Sequence, residues 1–370
     1  MPGTRERVLV AMSGGVDSSV TAALLQEQGY DVVGVTMKLH EDGSDVPDKP
    51  CCSLDATSDA RRVCEQLGVP HYVLNLVDAF TRDVFDDFVR EYAAGRTPVP
   101  CVRCNTFTKF RDLVARADAI DARWIATGHY GRLADTPHGR ALLRGRDPAK
   151  DQSYFLWGMP RSVLDRLLLP VGDWTKEETR AAARRFGLRT AGKPESMDIC
   201  FVPHGDHVRI LEQQLPADAP ALQPGAVITE DGRVLGEHQG FARFTVGQRK
   251  GLPGGAGEPL YVVEIRAETR EVVVGPRASL ARGSVLAHAV NWLAPVPTVG
   301  QSVTVQVRHR GAPVAASVLR ADDTHVEVAL AQRVHAIAPG QSLALYDGEV
   351  VLGGGVIVRA GRGALPVLAA

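Results

Sequence analysis

The feature that most constrains this chain lies near its start, where the apolar run Val8-Leu-Val-Ala11 passes directly into Met12-Ser-Gly-Gly-Val-Asp-Ser-Ser19. An amphipathic stretch, Ser18 to Gln28, follows and is closed by Gly29. A β-branched run, a glycine pair flanked by hydroxyls, and a segment of helical period read as strand, loop and helix. Backbone N–H groups, glycine-permitted close approach and the helix N-terminus then form a cradle for an anion. The loop matches neither G-x-x-x-x-G-K-[ST] nor G-x-G-x-x-G, so the common nucleotide fingerprints are excluded here.

Val32 to Met37 completes a βαβ unit, and the alternation continues. Ala56 to Leu67 reads as helix with Gly68 behind it, Tyr72 to Leu76 as strand, Arg82 to Ala94 and Thr106 to Ala117 as helices, and Trp124 to Thr127 as strand. This predicts a doubly wound parallel α/β sheet. Arg161 to Leu168 and Lys176 to Phe186 read as helical, the second capped by Thr175 and ended by Gly187.

After about residue 205, glycines and prolines punctuate short Val-rich runs: Val262 to Ile265, Val272 to Val274, Val303 to Val307, Val326 to Leu330 and Leu343 to Tyr346. This half reads as all-β. Leu286 to Gly300, with Pro295 and Pro297, interrupts it, and Leu215 to Pro224 reads as a linker. The expected division is 1–205 for the α/β domain, 206–283 for a small β-rich domain and 284–370 for a C-terminal β-barrel. At 370 residues the chain exceeds what one hydrophobic core usually serves.

Lys and Arg number 42 against 43 Asp and Glu, so nucleic-acid binding would need a local basic face. No apolar run approaches the roughly 20 residues of a membrane span, and no signal-peptide pattern precedes Val8, so the expected location is cytoplasmic. Six cysteines are too few for a disulfide scaffold.

Ser13-Gly14-Gly15-Val16-Asp17-Ser18 resembles the loop of the N-type ATP pyrophosphatases, which split ATP between the α and β phosphates to activate an oxygen for replacement. Further segments narrow the acceptor: Gly95-Arg-Thr-Pro-Val-Pro-Cys-Val-Arg-Cys-Asn105 with Lys109-Phe110, Ala126-Thr-Gly-His-Tyr130, Lys150-Asp-Gln-Ser-Tyr-Phe155, Ile199-Cys-Phe201, Gly236-Glu-His-Gln-Gly240, Thr245-Val-Gly-Gln-Arg-Lys-Gly251 and Leu352-Gly-Gly-Gly355. In this order they resemble the bacterial tRNA-specific 2-thiouridylase family. The resemblance implies 2-thiouridine at the wobble position, U34, of tRNAs for Lys, Glu and Gln. It implies ATP and Mg²⁺, a sulfur-donor protein, and release of AMP and pyrophosphate.

By the same resemblance Ala11, Met12, Ser13, Gly14, Gly15, Val16, Asp17, Ser18, Met37 and Gly128 bind ATP. His129, Lys150, Asp151, Gln152, Arg308, His309 and Gln341 contact tRNA. Cys200 carries a persulfide, and Cys104 resolves it as a disulfide.

Residue by residue, Cys104 follows Arg103 and opens a helical segment, where helix terminus and cation favour thiolate. Cys200, between Ile199 and Phe201, reads from pattern alone as a buried structural thiol. Cys64 falls on the apolar face of its helix; Cys51 and Cys52 read as structural or incidental. Cys101 stands where most relatives carry an acid, so three readings stay open: a persulfide on Cys200 resolved as a disulfide, an iron–sulfur cluster on Cys101, Cys104 and Cys200, or a purely structural pair.

Patterning alone makes Lys150 to Gln152 a solvated loop and His129 a neutral surface residue. Alternation puts Arg308 and Arg310 on one exposed strand face, able to meet phosphates. The cations from Arg180 to Lys193 form either a solvated helix face or a basic track. The rival functions are an amide-forming ligase, for which no glutaminase domain is visible, and a noncatalytic RNA-binding module, which would not need the intact loop together with two spaced cysteines.

Overall fold

The computed structural model describes residues 5–40, 54–194, 199–202, 205–253 and 258–363. Cys51 and Cys52 lie outside them. In chain order the first elements are β1 (Arg7–Ala11), α1 (Val16–Glu27), β2 (Asp31–Lys38), α2 (Leu54–Leu67), β3 (His71–Asn75), α3 (Val77–Phe80), α4 (Asp86–Ala93), α5 (Pro100–Arg103) and α6 (Phe110–Ala119). Then come β4 (Trp124–Ala126), β5 (Gly131–Thr136), β6 (Gly139–Arg144), β7 (Leu167–Leu168), α7 (Lys176–Arg185) and α8 (His207–Gln214). The last strands are β8 (Gly225–Thr229), β9 (Val234–His238), β10 (Tyr261–Arg266), β11 (Glu271–Gly275), β12 (Ala281–Trp292), β13 (Ser302–Gln306), β14 (Val314–Ala321), β15 (His325–His335), β16 (Ser342–Asp347) and β17 (Val350–Gly361).

Two compact units emerge. The first comprises residues 1–84, 101–205 and 349–351. Its sheet runs β3-β2-β1-β4-β7 with every pairing parallel, as expected from the alternating grammar. Helices cover both faces, so β1 and β2 are near-continuously buried and do not alternate. Val8, Val10, Val20, Leu25 and Cys64 close the core, each at most 1% exposed, and Cys64 therefore behaves as the small hydrophobe expected. Burial pushes its thiol up to about 12. Sheet order reverses at β1, which pairs with β2 on one side and β4 on the other. The loops leaving β1 and β4 therefore meet at the switch point where α/β sheets bind ligands.

Three local expectations change in this unit. The β5–β6 hairpin was not foreseen. Arg161–Arg166 is a 3-10 turn running into β7, where Leu167 and Leu168 pair with Ile125 and Ala126 of β4 and so leave the helical path. The helix expected from Thr106 begins earlier, at Pro100, with a π-turn over Cys104–Lys109 joining α5 to α6.

The second unit comprises residues 85–100, 206–348 and 352–370. Its β-rich core is as expected, except that α8 opens it, started by Asp206, whose side chain accepts from Arg209 N–H. One sheet orders β10-β11-β8-β9. Six further strands, β12-β15-β14-β13-β16-β17, close into a barrel through β12–β17 pairing. Leu286 to Trp292, expected as an interruption, forms the second half of the 12-residue β12, and Pro295 and Pro297 follow it.

Leu9, on the central strand, is 1% exposed. Leu9→Ala should cost about 2–5 kcal/mol, since the lost methylenes leave a cavity that the flanking strands cannot fill. Urea unfolding monitored by circular dichroism checks this, and a cost under about 1 kcal/mol would contradict the packing described.

Candidate active site

The loop after β1 meets α1 at Gly15, an N-cap whose helix has no side-chain cap. The first-turn amides of α1 are therefore left for a ligand, at the positive end of the helix. Gly14 holds φ +67°, and a Cβ there would lie 2.1 Å from the Ala56 carbonyl oxygen, so the turn admits only glycine. Ser13 N–H donates to Ser18 Oγ (3.1 Å), and the Ser18 and Ser19 hydroxyls donate to Gly15 O. These bonds tie the loop to the first turn of α1.

The carboxylate of Asp17 takes Lys176 Nζ at 2.7 and 2.8 Å. It also accepts from the Tyr130 hydroxyl at 2.9 Å, which lies the same distance from Thr179 Oγ1. A second ammonium, Lys193 Nζ, donates to the Gly14 carbonyl (3.0 Å) and pairs with Asp59 (2.6 Å). The loop carries no cation of its own; both come from residues 159 and 179 positions downstream.

Lys176 escaped the sequence reading, and Lys193 was grouped with a general basic track. A signal for Lys176 did exist. Thr175 and Glu178 form a capping box, which fixes Lys176 as the first residue of α7, where the macrodipole disfavours a cation. A lysine there, buried to 8% exposure, calls for an anionic partner. Within the Arg180–Lys193 group, Arg180 donates to the carbonyls of Ala191 and Lys193, so it braces the segment that brings Lys193 to the loop.

The second strand-end loop supplies Gly128 and His129. A Cβ on Gly128 would lie 2.7 Å from Ser18 N, which seats this glycine directly against the phosphate loop. His129 Nδ1 lies 2.8 Å from Thr127 Oγ1, and its ring faces Phe110 at 6.1 Å. Burial, helped by the charge of Lys109, pushes its pKa down to about 3, so the imidazole is neutral as expected, and it is half-buried. Met37, near the carboxyl end of β2, is 8% exposed.

The run Lys150 to Gln152 is not a solvated loop. Gln152 Oε1 accepts from Tyr130 N–H, and Gln152 N–H donates to Tyr130 O. Asp151 accepts from Gly145 and Ser153 N–H and pairs with Arg144. Asp151 and Gln152 thus hold the strand end that carries Tyr130 to Asp17.

Cys104 is 5% exposed. Because the helix starts at Pro100, Cys101 falls in its first turn and Cys104 one turn further in, which removes Cys104 from the helix N-terminus where it was expected. The helix is clamped to the following segment: Asn105 Nδ2 donates to Phe155 O at 3.0 Å, and Gly158 leaves room for Thr106 Oγ1. Asn105 Oδ1 and Thr108 Oγ1, in the same turn region as Cys104, are buried without hydrogen-bond partners. Cys200 is partly exposed, with its sulfur 3.8 Å from His40 Nε2, just past β2, and Phe201 packs edge-on to Phe80.

Cys104 is buried, and Cys101 and Cys200 are partly exposed. Among the described residues no three His, Cys, Asp or Glu side chains gather closely enough to hold a metal ion. The three thiols therefore do not present the ligand set of an iron–sulfur cluster. The loop's one carboxylate, Asp17, is paired with Lys176.

In the second unit, Arg308, His309 and Arg310 are exposed but lie in a turn beyond β13, because Gln306 Nε2 donates to the Arg308 and His309 carbonyls and bends the chain out of the sheet. The strand-face alternation expected for them does not apply. Gln341 donates to Thr97 O at 2.9 Å, fixing the segment before Pro98.

Comparison with known proteins is extensive. The family profile described as the tRNA methyl transferase HUP domain matches residues 6–204, the PRC-barrel domain of the same family residues 212–276, and the aminomethyltransferase β-barrel domain residues 282–357. A tRNA-specific 2-thiouridylase MnmA from Rhodospirillum centenum is 51% identical over 363 residues, covering 96% of this chain and 92% of the relative. One from Geotalea uraniireducens is 46% identical, covering 96% of each. Among solved structures, a 4-thiouridine synthetase–RNA complex with bound ATP is similar at 19% identity and TM-score 0.36, over 58% of this chain and 52% of that one.

Removing either partner of the Asp17–Lys176 pair should destabilise the protein by about 1–3 kcal/mol. Asp17→Ala should cost more than Lys176→Met, because it takes the carboxylate from a buried ammonium whereas methionine refills the space of the stem. Chemical denaturation of both variants would show the order, and the reverse order would contradict it.

The depressed pKa of His129 sets an acid sensitivity. Between about 6.5 and 3 the unfolded chain binds a proton that the folded chain does not. Stability from this group is intact above pH 6.5 and falls as pH drops, by up to about 1.4 kcal/mol per unit. His129→Gln should flatten the stability–pH profile over that window, and an unchanged slope would place the imidazole in solvent.

Proposed function

Because the chain belongs to the tRNA-specific 2-thiouridylase family, and is a tRNA-uridine 2-sulfurtransferase, we propose that it thiolates the wobble uridine, U34, of tRNAs for Lys, Glu and Gln at the expense of ATP. The observation that carries this is the uncapped N-terminus of α1 at the sheet switch point, faced by Lys176 and Lys193. ATP phosphates accept from the first-turn amides of α1, and the two ammonium groups answer the charge. Met37 and Gly128 border the adenosine. A bound triphosphate competes with Asp17 for Lys176, so binding redistributes a charge that is already in place.

The uridine leaves the anticodon stack to reach the loop. Its O2 attacks the α-phosphorus, the bond to the β-phosphate oxygen breaks, and pyrophosphate leaves. Cys200 carries a sulfane sulfur delivered by a donor protein. That sulfur bonds to C2 as Cys104 thiolate attacks the Cys200 sulfur, so the Cys104–Cys200 disulfide takes up what the persulfide gives. AMP departs with the former O2. His129, kept neutral, together with Lys150, Asp151 and Gln152, lies along the tRNA approach to the loop, while Arg308, His309 and Gln341 meet tRNA from the second unit. The buried Asn105 Oδ1 and Thr108 Oγ1 are available to a base brought beside Cys104.

In this reading Cys200→Ser retains tRNA-dependent pyrophosphate release and loses 2-thiouridine, while Cys101→Ser keeps most of its thiolation. Pyrophosphate assay and mass spectrometry of digested tRNA report the two steps separately. Thiolation by Cys200→Ser, or its loss in Cys101→Ser, would overturn the assignment.

A further inference from the structure

The second unit holds a half-open cavity of about 580 Å³ whose wall carries five arginines, Arg96, Arg266, Arg282, Arg359 and Arg362, against two acids, Glu230 and Glu264. Three of the cations are answered. Arg96 makes a two-pronged bond to Glu91, Arg266 pairs with Glu264 and Glu271, and Arg362 pairs with Glu230. The other two are not. Arg282, half-buried, donates to the carbonyls of Ser279 (2.6 Å) and Ala281 (3.1 Å) and forms no carboxylate pair among the described residues. Arg359 is exposed on β17 and likewise has no acid.

Burial, and after it the neighbouring Arg362, disfavour the charge on Arg282 more than the nearby Glu230 and Glu264, with which it forms no ion pair, favour it. A half-buried guanidinium bonded only to neutral oxygens, close to a second guanidinium, is stabilised by any anion that enters. The rest of the wall is apolar, including Val263, Ile265, Ile337 and Val358. Guanidinium groups without a paired carboxylate, beside apolar surface, suit a phosphate attached to a ribose and base.

We propose that this cavity is a backbone-phosphate site for the tRNA, with Arg282 and Arg359 as its phosphate-binding residues. The inference rests on tRNA being the substrate, and it adds a contact that neither the motifs nor the family resemblance assigned. It is separate from the turn Arg308 to Arg310, whose side chains do not line this cavity.

The test is full-length protein binding unmodified tRNA, measured by fluorescence anisotropy from low to moderate salt. Wild type, Arg359→Gln, Arg282→Gln, the double variant and Arg233→Gln, an exposed arginine outside the cavity, are compared. Arg359→Gln should weaken binding several-fold at about 0.1 M salt and lower the slope of log affinity against log salt by about one. The double variant should lower it by about two, and Arg233→Gln should match wild type.

Arg359 is exposed, so its variant keeps the proposal testable if Arg282→Gln fails to fold. An unchanged affinity and slope in folded Arg359→Gln would overturn the site. An equal loss in Arg233→Gln would also overturn it, by showing general attraction only. Wild type that binds no tRNA would refute the substrate reading, an outcome distinct from either.

Discussion

The loop's form depends on the charge balance at Asp17. An uncapped helix N-terminus attracts anions, and the chain places its own carboxylate in the first turn, where it is favourable. Lys176 sits in the unfavourable place, at the start of α7. Joined, the two offset each other: the cation that α7 disfavours is held by the anion that α1 favours, and the helices pack with the pair between them. Tyr130, fixed through its backbone by Gln152, brings the end of β4 onto the same carboxylate. Three separate segments are thereby pinned to one atom group, which gives the loop a defined shape before any ligand arrives.

The same logic explains the residues around it. Gly14 and Gly128 are the positions where a single methyl group would collide with backbone, and both lie where the loop is most crowded. The hydroxyls of Ser13, Ser18 and Ser19 bond within the loop and so define its curvature. The second unit closes six strands into a barrel without a free edge between them.

Much of this was legible because local rules and tertiary demands agree. The run Val8 to Gly29 encodes strand, loop and helix by period and glycine placement, and Thr175 with Glu178 encodes the start of α7 by capping. Long-range partners are not written locally. Nothing around Lys176 names Asp17, and nothing around Gln152 names the Tyr130 backbone. Polar runs such as Lys150 to Gln152 read as solvated because pattern counts polarity and cannot see the N–H groups that Asp151 satisfies. Arg308 to Arg310 failed for a different reason: strand alternation was extended past Gln306, whose side chain bonds the next carbonyls and turns the chain.

The distances along the chain between the loop and its lysines bear on synthesis. A chain emerging from the ribosome has the strand, the glycines and the first helix early, but Lys176 and Lys193 arrive 159 and 179 residues after their partners. Contacts of that separation form late, after the entropy of closing a long loop has been met. The growing polypeptide therefore carries a recognisable nucleotide motif without the counter-charges that complete it. The counter-charges are complete only once Lys193 has been made and has folded back onto the loop.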